Sequence, residues 1–229
     1  MKNKSFIIVC LSSSLLIGCG GGGSSDSSPS FTGNGIYSNT ADLAVMIVDS
    51  TRDSENIIVG DFSNDSIYFT NTATTTVNTM TTTGLTYADT ATFAVDTDLV
   101  LTATFDSSEV TLNGEVDGTN LIYSMDKASD SLSLAEIVGT YTDADDGSTW
   151  QVNSDGSFII TGTCIITGDI ERSGAYWNIT DASAVSCTDS EFNGTYEGVF
   201  LTVNHDGHDY IAGLLANSVA MQWGSTAIN

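Results

Sequence analysis

The chain has 229 residues, with 29 Asp and Glu against five Lys and Arg, a formal net charge of −24. So acidic a surface repels nucleic acid and excludes it as a partner, and it equally repels anionic lipid headgroups. Yet 41% of the residues are hydrophobic, and they fall in short runs, so the chain has a core to bury and is no disordered acidic tail.

The first four residues, Met1-Lys2-Asn3-Lys4, carry two positive charges, and Ser5 to Ile17 is mostly apolar or small. That is the layout of a secretory leader. It is shorter than the roughly 20 apolar residues of a bilayer span. Leu16-Ile17-Gly18-Cys19 resembles the lipobox of bacterial lipoprotein signals. The resemblance implies that residues 1–18 are removed, that the Cys19 thiol receives a diacylglyceryl group and that the new amine is acylated, palmitate being a typical acyl group. One acyl chain holds a protein only marginally, whereas additional chains make the anchor durable. Gly20 follows the cysteine where a retained lipoprotein would carry Asp, so the sorting resemblance implies the outer membrane.

Residues 19–32 read as the lipid-anchored linker. Gly20 to Ser30 is glycine, serine, Asp26 and Pro29, with nothing to bury. Its 11 residues reach at most about 40 Å when fully stretched, at roughly 3.3–3.6 Å each. Without Lys2 and Lys4, three cations face the 29 acids, a balance of −26.

From there the chain reads as all-β. Thr, Val, Ile, Tyr and Phe are punctuated by Asn, Asp and Gly. Two halves are expected, 33–130 and 131–229. They form an antiparallel meander of two small barrel-like or sandwich-like units, or one fused barrel. Leu43 to Val48 is apolar throughout, so both faces of that strand are expected to be covered. Thr72 to Gly84 is nearly all threonine and reads as a solvent-facing strand pair or a long exposed loop, with the loop or edge expected because little in it can pack. In Leu99 to Phe105 the apolar residues alternate with Thr102 and Thr104, as in a strand with one wet face. Asn113-Gly114 and Asp117-Gly118 are turn candidates. Gly35-Ile-Tyr37, Gly139-Thr-Tyr141 and Gly194-Thr-Tyr196 repeat a G-x-Y pattern at expected strand starts. Ser133 and Glu136 have capping-box spacing, so one or two helical turns ending at Gly139 are expected between the halves.

In the second half, Val152-Asn-Ser-Asp-Gly156 and Val203-Asn-His-Asp-Gly207 share V-N-x-D-G, a hairpin signal. Of four cysteines, Cys10 leaves with the leader and Cys19 is the lipid site. Cys164 and Cys187 remain, and in an oxidising compartment they are expected to pair. A turn near Ser173-Gly174 would place Ser183 opposite Cys164, with Cys187 four residues further along, an offset for a bulge to absorb. "SLAEIVGTY", "VNSDGSFIITGTC", the second Cys and "NGTYEG" resemble a group of uncharacterised lipoproteins of Gram-negative bacteria. The resemblance covers roughly the last hundred residues, and it implies address and fold rather than chemistry.

Motifs of catalysis are weak. His205 and His208 flank a hairpin tip, and no G-x-S-x-G elbow or H-E-x-x-H motif occurs. Asp143, Asp145 and Asp146 before Gly147 imitate the start of a calcium loop, but Ser154 stands where the bidentate glutamate belongs. An acidic hairpin loop is expected there, and no metal or cofactor. Trp150, Trp177 and Trp223 fall in strands and are expected in the core. The expected function is an outer-membrane lipoprotein with a non-catalytic binding or structural role toward a protein partner. The alternative is a lipocalin-like carrier with an apolar cavity.

Overall fold

The computed structural model describes residues 30–116, 118–144, 146–218 and 220–228. The leader, Cys19 and most of the 19–32 linker lie outside the described residues. Two β units follow. In the first, β1 (Gly35–Asn39), β2 (Ala44–Val48), β3 (Ile57–Asp61), β4 (Ser66–Thr75), β5 (Thr79–Ala88), β6 (Phe93–Phe105), β7 (Glu109–Val116) and β8 (Thr119–Lys127) pair antiparallel in chain order. The barrel closes where Tyr37 and Ser38 of β1 pair with Lys127 and Asp126 of β8.

A single helical turn, α1 (Leu134–Ile137), leads into the second unit. Glu136 accepts from both the amide and the hydroxyl of Ser133, at 2.8 and 2.6 Å. Gly139 does not end this helix as expected. Val138 caps it, and Gly139 opens the next strand. The second sheet holds β9 (Gly139–Thr142), β10 (Thr149–Val152), β11 (Ser157–Thr161), β12 (Ile165–Asp169), β13 (Glu171–Ser173), β14 (Tyr176–Val185), β15 (Gly194–His205), β16 (His208–Ala216) and β17 (Met221–Ala227). Its order is β17-β16-β15-β14-β12-β11-β10-β9, with β13 on β14, and it curls into a nearly closed barrel. Two barrels, rather than sandwiches or one fused barrel, are the architecture.

Period-two side-chain alternation explains why some strands read apolar on both faces. In β2, Met46 and Val48 point into the first barrel beside Tyr37, Met80, Phe105 and Met125. Val45 and Ile47 point outward and pack with Val199, Leu201, Ala212 and Leu214 of β15 and β16. Phe200 and Ile211, on the other face of those strands, join Trp150, Phe158 and Tyr196 inside the second barrel. The two barrels are therefore pressed wall to wall. The connecting segment is built into the second: Ser131 N–H donates to Ala175 O at 2.8 Å, Ser131 Oγ accepts from Thr202 N–H at 3.0 Å, and Thr202 Oγ1 accepts from Leu132 N–H at 2.8 Å.

The threonine run takes the strand-pair form rather than the expected loop or edge. Thr72 to Thr75 and Thr79 to Gly84 are paired strands of the closed wall, because β-branched threonines suit a pleat. Every second residue of β5 is available to the interior, and Met80 and Thr82 fill it. Asn113-Gly114 is also no turn. It lies within β7, where a Cβ on Gly114 would come within 2.4 Å of Leu101 Cδ2. The turn falls between Val116 and Thr119, with Gly118 at φ +76°. The G-x-Y glycines do begin β1, β9 and β15. Tyr37 and Tyr196 each donate their hydroxyl to a carbonyl four residues back, Gly33 O and Phe192 O, at 2.9 Å.

Cys164 and Cys187 form a disulfide with Cα atoms 3.9 Å apart. The register differs from the expected one. The hairpin turns at Gly174-Ala175, and Ile165 faces Val185. Cys164 thus comes level with Ser186, and Cys187 is the very next residue, so the expected four-residue offset largely vanishes.

Candidate functional site

Two features stand at the barrel junction: a polar clamp and a line of clefts. The clamp grows from the β2–β3 loop. Tyr176 of β14 donates to Asp49 Oδ2 at 2.8 Å. Arg52 donates to Asn178 Oδ1 at 2.7 Å and to Glu55 Oε2 at 3.1 Å. Asn56 ties the loop by donating to the carbonyls of Asp49 and Arg52. Burial pushes the Asp49 carboxyl up, but hydrogen bonds from Thr51 and Tyr176 and the charge of Arg52 outweigh it and hold it below its ordinary value. Burial pushes the Tyr176 hydroxyl up. These groups join the two barrels.

The clefts lie toward one end of the first barrel. In an up-and-down barrel alternate connections share an end. The β1–β2, β3–β4 and β5–β6 turns are at one end, and residues 30–34, the β2–β3 loop and the connection to α1 are at the other. Phe62 and Asp65 of the β3–β4 turn face the mouth of the second barrel across a cleft of about 340 Å³, with Trp150, Gln222 and Trp223 in its wall. Leu43 and Phe62 face His205 and Tyr210 across a mainly apolar cleft of about 270 Å³. The β5–β6 turn faces Phe192, Met221 and Trp223 across about 530 Å³. Phe62 is shared by the first two and Trp223 by the first and third, so the three form one line. At its rim Leu43 holds a left-handed φ of 51° and is 41% exposed, and its carbonyl accepts from Phe62 N–H at 3.1 Å. A non-glycine residue so placed is strained, and such strain gathers at functional sites.

The structure places the sequence candidates as follows. Asp143 Oδ1 accepts from Asp146 N–H at 3.3 Å, and Asp146 Oδ1 accepts from Ser148 N–H at 2.7 Å. Both carboxylates thus brace their own β9–β10 loop, while also bordering the first cleft. Asp145 and Cys19 lie outside the described residues. Among the described residues, no three His, Cys, Asp or Glu side chains gather in a metal-holding group. His205 and His208 face each other as the last pair of the β15–β16 hairpin, with His205 Nε2 3.5 Å from Asp206 Oδ2. Trp150 and Trp177 are buried core residues as expected. Trp150 is accommodated by the facing pair Gly213 and Gly224, both within 3.3 Å of its ring at the Cβ position. Trp223 is only partly buried and lines two clefts.

Sequence reasoning missed the Asp49–Arg52–Tyr176 clamp and the strained Leu43. The only signal was the scarcity of cations, which makes a lone Arg52 in a loop worth notice. Comparison with protein-family models, with curated proteins and with solved structures returned no match to this chain.

Proposed function

We propose that this protein is an outer-membrane lipoprotein, anchored through acyl groups on Cys19, that binds a partner of the cell envelope or its surroundings without catalysis. The supporting observation is an opposition of ends. The chain reaches the first barrel where Phe31 packs edge-on against Phe105 and Thr32 N–H donates to Val77 O. The clefts lie by the turns of the other end. A tether at one end and recesses at the other suit a receptor or docking protein held at a surface. The carrier reading has less support, because the barrel interiors are filled by Tyr37, Met46 and Met80 in one and by Trp150, Phe158 and Phe200 in the other.

The test is metabolic labelling with a palmitate analogue in the native cells, followed by membrane fractionation, for the full chain and its Cys19→Ser variant. The native chain takes up label and sediments with the outer membrane, and the variant does neither. A soluble, unlabelled native chain, or a membrane-bound serine variant, would refute the reading. A small molecule co-purifying with the intact barrels in native mass spectrometry would instead favour the carrier.

A further inference from the structure

The β5–β6 hairpin outgrows its neighbour. Residues Leu101 to Phe105 of β6 pair with β7, whereas Phe93 to Asp96 pair only with Leu85 to Ala88 of β5. Between them a bulge is pinned by Asp96 Oδ1, which accepts from the amides of Asp98 and Leu99 at 2.9 and 3.0 Å. The upper part of β6 is therefore an edge strand inside an otherwise closed barrel.

The direction of its free groups follows from the turn. Asp89 N–H donates to Thr92 O at 3.0 Å, which makes those two a hydrogen-bonded pair. Pairs alternate in an antiparallel ladder, so Ala94 and Asp96 spend their backbone groups on β5, and Phe93 and Val95 turn theirs away from it. Every residue from Phe93 to Asp98 is exposed. Phe93 is 44% exposed, Val95 55%, Val100 49% and Ile122 on β8 72%. An open edge with apolar side chains on it is a template for another strand.

Charge selects the strand. The exposed acids Asp96 and Asp98 sit in the bulge, and exposed Glu115 lies in the last two residues of β7, just past the Leu101–Gly114 pair. The cations of the described residues are engaged elsewhere: Arg52 in the clamp, Arg172 on the carbonyls of Ser131 and Leu132, and Lys127 over the Tyr37 ring at the far end of β8. We propose that Phe93 to Val100 of β6 is a docking edge for an extended strand of a partner protein, one that alternates apolar and cationic side chains. Its backbone would pair with Phe93 and Val95, its apolar side chains would cover Phe93, Val95 and Val100, and its cations would meet Asp96, Asp98 and Glu115. A second copy of the chain fits poorly, because it would bring Asp96 and Asp98 against their own counterparts. The edge is separate from the clefts except at Phe93, which also lines the third, and it does not depend on the lipid anchor.

The test uses the full chain in detergent and a short synthetic peptide alternating valine and lysine. A peptide of the same sequence, N-methylated at every residue, keeps the charge but has no backbone donor on either edge and cannot pair. Binding is read by calorimetry and by amide hydrogen exchange. The pairing peptide binds and protects the amides of Phe93 and Val95. N-methylation weakens binding by about tenfold or more. Val95→Pro removes a donor that β5 does not use, so the ladder survives, and it weakens binding by a similar factor. Asp96→Asn with Asp98→Asn weakens it further and lowers its salt dependence. Equal binding of the N-methylated peptide, protection elsewhere than at Phe93 and Val95, or undiminished binding to a folded Val95→Pro chain would each overturn the proposal. So would a dimer of the native chain that Val95→Pro dissolves, since the occupant would then be a second copy. The exchange data on the native chain decide the matter even if the proline variant does not fold, and none of these results bears on acylation of Cys19.

Discussion

Tyr176 of the second barrel donates its phenolic hydrogen to Asp49 of the first at 2.8 Å, across 127 residues of chain. Around this bond Arg52 reaches from the first barrel to Asn178 of the second. The junction thus combines an apolar face, Val45 and Ile47 on Val199 and Leu201, with a charged clamp at its side. Removing one partner from such a bond costs more than the bond is worth net, because the other is left desolvated. Tyr176→Phe is expected to destabilise the protein by about 1–2 kcal/mol, measured by equilibrium urea unfolding. A double-mutant cycle with Asp49→Asn should show coupling of about 0.5 kcal/mol or more. A vanishing coupling energy would mean that the Tyr176–Asp49 bond adds nothing to the hold between the two barrels.

The same clamp gives a pH dependence. Burial raises the Asp49 carboxyl, but the Thr51 and Tyr176 hydrogen bonds and the Arg52 charge prevail and leave it below its ordinary value. A carboxyl depressed in the folded state stabilises fully above its unfolded pKa of about 3.9, and this is lost as pH falls through the lower folded value. Protonating the many other acids relieves repulsion and acts in the opposite sense. The informative quantity is therefore the difference in unfolding free energy between the native chain and Asp49→Asn. That difference should be flat from pH 7 to about pH 5 and shrink below about pH 4. A difference that instead grows in acid would show that the carboxyl is protonated more readily in the folded protein.

How much of this was legible in the sequence depended on range. Alternation in Leu99 to Phe105, the V-N-x-D-G hairpins and the paired thiols are short-range signals, and the structure bears them out. The unbroken apolar run of Leu43 to Val48 announced two covered faces, which hold for Ala44 to Val48 but not for exposed Leu43, and no local pattern names β15 and β16 as the second cover. The threonine run misled because a strand that offers only Met80 and Thr82 to the interior has almost no hydrophobic signature. The clamp was invisible for the opposite reason. Thr51-Arg52-Asp53-Ser54-Glu55 has the composition of a solvated turn, yet the flanking Asp49 and Asn56 are buried, Asp49 against Tyr176 of the second barrel. The clefts depend on how the two barrels meet, so Trp223 reads as one more strand residue until that meeting is known.

The disulfide is expected to be structural and confined in effect to the second barrel. It ties residues 23 apart, between the end of β11 and the segment before β15, where Thr188 N–H also donates to Thr163 O at 2.8 Å. Closing a loop of that size restricts the unfolded chain by about 3 kcal/mol. The Cys164→Ala, Cys187→Ala double variant should lose about that much, less any native interaction that survives. Hydrogen exchange should quicken in β12, β14 and β15, with little change in β2 to β7. Equal loss of protection in both barrels would mean that they unfold as one cooperative unit through their shared face.

Gly198 in β15 tests how closely the second barrel's strands are packed. It pairs with Leu215 of β16, and a Cβ at this position would lie 2.1 Å from Leu214 O and 2.9 Å from Leu215 Cα. Both obstacles are backbone, so no rotamer change relieves them, and the strand pair that carries the barrel junction would have to separate. Gly198→Ala is expected to cost about 3 kcal/mol, at the upper end for overpacking. Gly118→Ala is the comparison. Its Cβ would meet nothing within 4 Å, and only its φ of +76° opposes the change, a penalty of about 1 kcal/mol. Thermal melts of the two variants should therefore separate clearly, with Gly198→Ala the lower. If they melt together, the backbone of β15 and β16 yields far more readily than so close an approach implies.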